Sequence, residues 1–124
     1  SVFRNVAEVF PQLTSDSAAV RSADLSPLND AGELDLIRKL SAFPVVVEGA
    51  ARAHEPHRVA FYLYDLASAF HAQWTKGNES PHLRFIQTND GTLTAARLAL
   101  ILATQRVLAT GLALLGVQAP QEMR

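Results

Sequence analysis

Four histidines, one tryptophan, one methionine and a scatter of arginines are the side chains in this 124-residue chain with chemistry to offer. His54 and His57 are spaced like a short metal-binding pair. Pro56 between them, however, interrupts the helix that would set both on one face, and His71 has no carboxylate at a familiar ligand spacing. The order His-Glu-Pro-His is not the HExxH arrangement of a zinc helix, so no metal site is expected. Ser68 falls mid-helix, without a strained elbow to expose it or a base to activate it. The chain has no cysteine, which excludes disulfides, thiolate ligands and thiol nucleophiles. Its six glycines are isolated and build no phosphate-cradling loop. Neither a catalytic residue nor a cofactor is expected.

Binding chemistry is better represented. Trp74 either closes the apolar face of its helix or, at the helix end beside His71, Lys76 and a loop, offers a flat face to an unpaired base. Such stacking is worth about 1–3 kcal/mol per base. Met123 has the same two readings: a thioether filling a gap, or one lying against a base. Arg97 and Arg106 lie on an otherwise apolar helix, and each needs a partner if buried. An antiparallel arrangement of the last two helices would bring Arg106 near Tyr62 and Asp65, and Arg97 near His71 and Trp74. A structural pair with Asp65 is favoured for Arg106, whereas Arg97 stays open between a structural and an RNA contact. Arg52, His54, His57 and Arg58 form a corner that is either phosphate-facing or simply solvated.

The net charge of −1 argues against a promiscuous polyanion binder. Its distribution is uneven. Residues 14–48 carry six acids and three bases; residues 49–124 carry five acids, seven bases and all four histidines. Contact with phosphate is therefore expected in the second half.

These side chains must be positioned by helices. A first helix is expected over residues 2–10, ending at Pro11, with a polar connection over 14–29 in which Ala18-Ala19-Val20 could make one turn. Asp30-Ala31-Gly32-Glu33 has the form of a capping box, followed by the apolar stripe Leu34, Ile37, Leu40. Phe43-Pro44 opens a third helix, read as helix through Val45-Val46-Val47 because alanines follow and no second strand exists to pair with. A fourth spans 56–75, with Val59, Leu63, Leu66, Phe70 and Trp74 on one face, and Lys76-Gly77-Asn78 ends it. The fifth, over 92–115, is apolar nearly all round, as in a helix surrounded by others, and Gly116 is placed to cap it. Residues 98–117 form the most apolar stretch, interrupted by Thr104, Gln105 and Arg106, and read as a core helix rather than a membrane span. The expected fold is all-α, a five-helix bundle forming one domain over residues 1–124, with an apolar content of 48% to build its core. Beginning Ser1-Val2-Phe3-Arg4, without a start methionine or signal-peptide pattern, the chain reads as a fragment of a longer cytoplasmic protein.

Two runs carry a resemblance: HEPHRVAFYLYDLASAFHAQW, and LTAARLALILATQRVLATGLALLGVQAPQEM. Together with FPVVVEGAARAHEPH and SVFRNVAEVF, they resemble the C-terminal anticodon-binding domain, of DALR type, of arginyl-tRNA synthetase. The resemblance covers nearly the whole chain. It implies a class I synthetase helical bundle that holds the anticodon loop of an arginine-accepting tRNA. The partner would be the catalytic domain of the same protein, where ATP with Mg²⁺ drives arginylation; neither membrane nor DNA is implied. It places Trp74 where the family commonly has a tyrosine against the anticodon, and Met123 at the family's near-terminal methionine. Arg97, His71 and Lys76 complete the expected tRNA-binding set. Tryptophan keeps the stacking face and loses the hydroxyl. The family's Tyr-x-His-x-Arg-like stretch before SVFRN and the ATP-binding HIGH-like and KMSKS-like motifs are absent, so weak tRNA binding is expected of this chain alone. Two other readings stand beside this one: a helical protein–protein interaction module, and the anticodon-binding domain of another class I synthetase such as the cysteinyl enzyme.

Overall fold

A computed structural model describes residues 10–13 and 18–122, with side chains in the last helix as far as Gly116. The helix expected over 2–10 falls almost entirely outside the described residues, and so does Met123. Five α-helices follow in order: α1 (Ala18–Arg21), α2 (Ala31–Ser41), α3 (Phe43–Ala53), α4 (His57–Glu79) and α5 (Gly91–Glu122), with a 3₁₀ turn at Pro81–Leu83 between the last two. The described residues contain no strand, as the all-α reading expects.

Each boundary has a local cause. Asp30 caps α2, its Oδ2 accepting a hydrogen bond from Gly32 N at 3.0 Å. Pro44 sits in the first turn of α3, where its missing N–H costs nothing. The three valines are helical, and Val47 packs with Ala50 against Val59 and Leu63. His54 closes α3 in the left-handed region (φ 55°), the one non-glycine residue to do so among the described residues. Pro56 then caps α4.

Helices α4 and α5 run antiparallel. Leu63, near the start of α4, lies against Gly111 of α5, where a Cβ would come within 2.5 Å of Leu63 Cδ2. Phe70, further along α4, packs instead with Leu98 and Ile101. The absence of a side chain at Gly111 thus allows the two backbones to approach. Ala96, Leu98, Leu100 and Ile101 are buried, and with Leu36 and Leu66 they form the centre of the bundle.

Three expectations are corrected. First, α4 runs through Lys76-Gly77-Asn78 to Glu79 rather than stopping there, because Gly77 is buried beneath the following loop. Second, α5 passes through Gly116, and no described glycine takes a positive φ, so that residue is not a C′ cap. Third, α5 is not enclosed along its length. By length and composition its segment Gly91–Gly116 could cross a bilayer, with mean hydropathy 1.8. Within the fold its first half is the central wall of the core, while Leu112 and Leu114 further along are 61% and 42% exposed.

The capping box is half realised. Glu33 does not reach back to the start of α2; it turns inward, is almost wholly buried, and pairs through Oε2 with Arg97 Nε at 2.8 Å. Arg97 Nη1 also donates to the carbonyls of His82 (2.9 Å) and Arg84 (2.7 Å). One ion pair therefore ties α2, α5 and the 80–90 loop together. Beside it, Asp30 Oδ2 accepts from Gln73 Nε2 and from Lys76 Nζ, both at 2.9 Å, joining α2 to α4. Gln73 presses on the first turn of α2 so closely that a Cβ on Gly32 would lie 2.0 Å from its Oε1. The hydrogen bond from Lys76, foremost, holds the Asp30 carboxyl below its ordinary 3.8. Asp65 pairs with Lys39 at 3.1 Å, so the Asp65–Arg106 pair expected from sequence does not form, and Arg106 is exposed.

Two predictions follow from these pairs. Arg97→Met should lower unfolding free energy by roughly 3–5 kcal/mol in denaturant titration, since it strands Glu33 in the interior. Adding Glu33→Leu should recover a large part of the loss. The lowered carboxyl of Asp30 stabilises the fold fully above about pH 3.8 and loses that contribution as pH falls through its lower folded value. Asp30→Asn keeps the cap but removes the charge. It should therefore cost about 0.5–1 kcal/mol at neutral pH, and the gap to the unaltered protein should close on acidification.

Candidate nucleic-acid interface

The far end of α4 presents Trp74 beside the loop that leads to α5. One face of the indole is covered by Phe85, with ring centroids 5.3 Å apart and planes inclined by 30°. Phe85 in turn stacks on Phe70 at 5.7 Å. The indole keeps 39% of its surface exposed, high for so large an apolar group with a core beside it. It opens onto a groove of about 340 Å³, shared with Gly77, Asn78, Arg84, Phe85 and Thr88. This is an aromatic shelf with a guanidinium and an amide at its rim, a composition suited to a stacked base and its neighbouring phosphate.

The loop forming the groove's other wall is held from several sides. Gly77 lies against it so closely that a Cβ there would meet Leu83 O at 3.1 Å and Arg84 Cα at 3.2 Å. Gln87 Nε2 donates to Pro81 O (2.8 Å) and Arg84 O (2.9 Å), and Thr94, wholly buried, exchanges hydrogen bonds with the backbone of Gln87. Arg97 supplies the remaining anchor at the carbonyls of His82 and Arg84. The wall is preorganised by hydrogen bonds that a mobile surface loop would lack.

The residues expected at an RNA surface divide accordingly. Trp74 lines the groove. His71 is exposed one turn earlier on α4 but does not line it. Lys76 is engaged with Asp30, its side chain 41% exposed. Arg97, placed among the tRNA-binding residues from sequence, has a side chain 5% exposed that pairs with Glu33 and anchors the groove's wall. Met123 lies outside the described residues. Arg84 was missed, because it sits in a loop without periodicity and nothing in its sequence neighbours marks it as a surface cation.

The corner at the opposite end of α4, about 25 Å away at helical rise, is self-neutralised. Arg52 pairs with Glu48, and Arg58 with Glu55 at 3.0 Å, while His57 Nε2 lies 3.3 Å from the same Glu55. Its phosphate-facing reading loses support, because both arginines already have carboxylates.

Comparison with known proteins places these features in a family. Residues 1–123 match the model of the DALR anticodon binding domain. The whole chain is 59% identical to part of an arginine–tRNA ligase of Nitrobacter winogradskyi, 57% to one of Rhodopseudomonas palustris and 58% to one of Beijerinckia indica. In each case it spans only 21% of the relative's length. No solved structure matches the chain. With a family model covering all but its final residue and a helical bundle bearing an aromatic groove, this chain belongs to the DALR anticodon-binding domain family.

Proposed function

We propose that the chain is the anticodon-binding domain of an arginine–tRNA ligase and holds the anticodon loop of an arginine-accepting tRNA at the Trp74 groove. ATP- and Mg²⁺-dependent arginylation would then occur in a separate catalytic domain of the same cytoplasmic protein. The observation that carries the reading is the half-open indole: a large aromatic with one face on Phe85 and the other free above a groove rimmed by Arg84 and Asn78. Family membership and the activity for which the relatives are named support it. In this reading Trp74 stacks on an unpaired base, Met123 and His71 approach the same loop, and Lys76 adds positive potential although Asp30 partly offsets it. Arg97 acts through the wall it anchors.

The reading as a protein-binding module retains one observation in its favour. Val45, Phe61 and Tyr64 are each about 70% exposed or more, and an apolar groove between α3, α4 and the distal part of α5 is lined by Val47, Val59, Leu114 and Leu115. That surface fits a protein partner, and the catalytic domain of a ligase is the partner the anticodon reading calls for.

Titration of the protein with arginine-accepting tRNA and with an unrelated tRNA tests the proposal. Preference for the arginine acceptor is expected, and Trp74→Ala should weaken it by about 1–3 kcal/mol while Trp74→Tyr retains most of the affinity. Equal affinity for both tRNAs, or an unchanged constant for Trp74→Ala, would count against it. Gly77→Ala should push the hydrogen-bonded 80–90 loop away from α4 by a few tenths of an ångström, costing about 1–3 kcal/mol of stability and weakening tRNA binding as well.

A further inference from the structure

We propose that Arg84 takes the backbone phosphate adjoining the base that lies on Trp74, so that one unpaired RNA nucleotide is gripped by base and phosphate together. The inference rests on the anticodon reading above and adds to it the residue that reads the charge. Most cations of the described fold already have carboxylate partners: Lys39 with Asp65, Arg52 with Glu48, Arg58 with Glu55, Lys76 with Asp30 and Arg97 with Glu33. Arg84 differs. Its Nε donates to Gly77 O at 3.3 Å, and among the described residues its two terminal nitrogens have no partner.

The anchoring gives the fork a direction. The Arg84 carbonyl is fixed by Arg97 Nη1 and Gln87 Nε2, and its amide donates to Pro81 O at 3.2 Å. Its neighbour Phe85 is the ring stacked on Trp74, and Arg84 itself lines the indole's groove. A planar, permanently charged fork beside a free aromatic face matches the two ends of a nucleotide, the flat base and the phosphate oxygens. Asp90 accepts the Leu93 amide at the start of α5, and Glu79 is exposed and in no ion pair among the described residues.

The test is tRNA affinity across a series of monovalent salt concentrations. Arg84→Gln should weaken binding roughly tenfold, with the slope of log K against log salt shallower by about 0.7. Arg84→Lys should keep the slope. Trp74→Ala should lower affinity at an unchanged slope, and Arg106→Gln, an exposed cation away from the groove, should change neither. An unaltered slope for Arg84→Gln alongside weakened binding by Trp74→Ala overturns the role of Arg84 and leaves the anticodon reading standing; unaltered binding by both variants removes that reading as well. Thr88→Glu, which sets a carboxylate in the same groove without touching the loop's hydrogen bonds, should also weaken binding. Should Arg84→Gln fail to fold, unchanged affinity for Thr88→Glu overturns the inference.

Discussion

A single buried ion pair sets the geometry on which the rest of this fold depends. Glu33 and Arg97 are 64 positions apart in sequence and almost free of solvent. Taking two ions out of water is costly, and the cost is offset only when geometry and further hydrogen bonds satisfy both partners. Arg97 meets that condition by donating to two loop carbonyls as well as to the carboxylate. Glu33 meets it less completely, since its Oε1 has no partner among the described residues. Such a pair is a poor source of net stability but a strict specifier of arrangement, because sliding α2 along α5 by one turn would strand both charges. The loop after α4 is held in place by the same guanidinium that neutralises the core.

That arrangement separates two tasks a surface site usually combines. The groove's shape comes from groups behind its wall, Arg97, Gln87 and Thr94, and from the bare Cα of Gly77, against which the loop lies. Its exposed lining is formed by the side chains of Trp74, Arg84 and Asn78. A substitution among the second set changes the groove's surface, whereas one among the first alters whether there is a groove at all.

The helices were legible because their signals are local. Pro44, Pro56 and the apolar steps from Val59 to Trp74 announce α3 and α4 within a few residues, and Asp30 announces the start of α2. Where tertiary contacts decide, the sequence misleads. Lys76-Gly77-Asn78 has the composition of a helix stop, yet burial of Gly77 under Leu83 and Arg84 carries the helix onward. Glu33 stands where a capping box wants it, and its real partner is on another helix. Cations were the hardest to read. Arg97 is buried against a carboxylate and Arg84 is exposed without one, and no spacing rule encodes that difference. The distal part of α5 failed for a related reason: an all-round apolar pattern predicts enclosure, but enclosure depends on neighbours.

The stack of Phe70, Phe85 and Trp74 has a spectroscopic consequence. The chain contains one tryptophan, and it stands at the mouth of the groove, half in solvent and half against a ring. Its emission is therefore free of contributions from other indoles. A shift in wavelength or a loss of quantum yield reports on that one patch of surface, which makes the groove self-labelled for light-based observation.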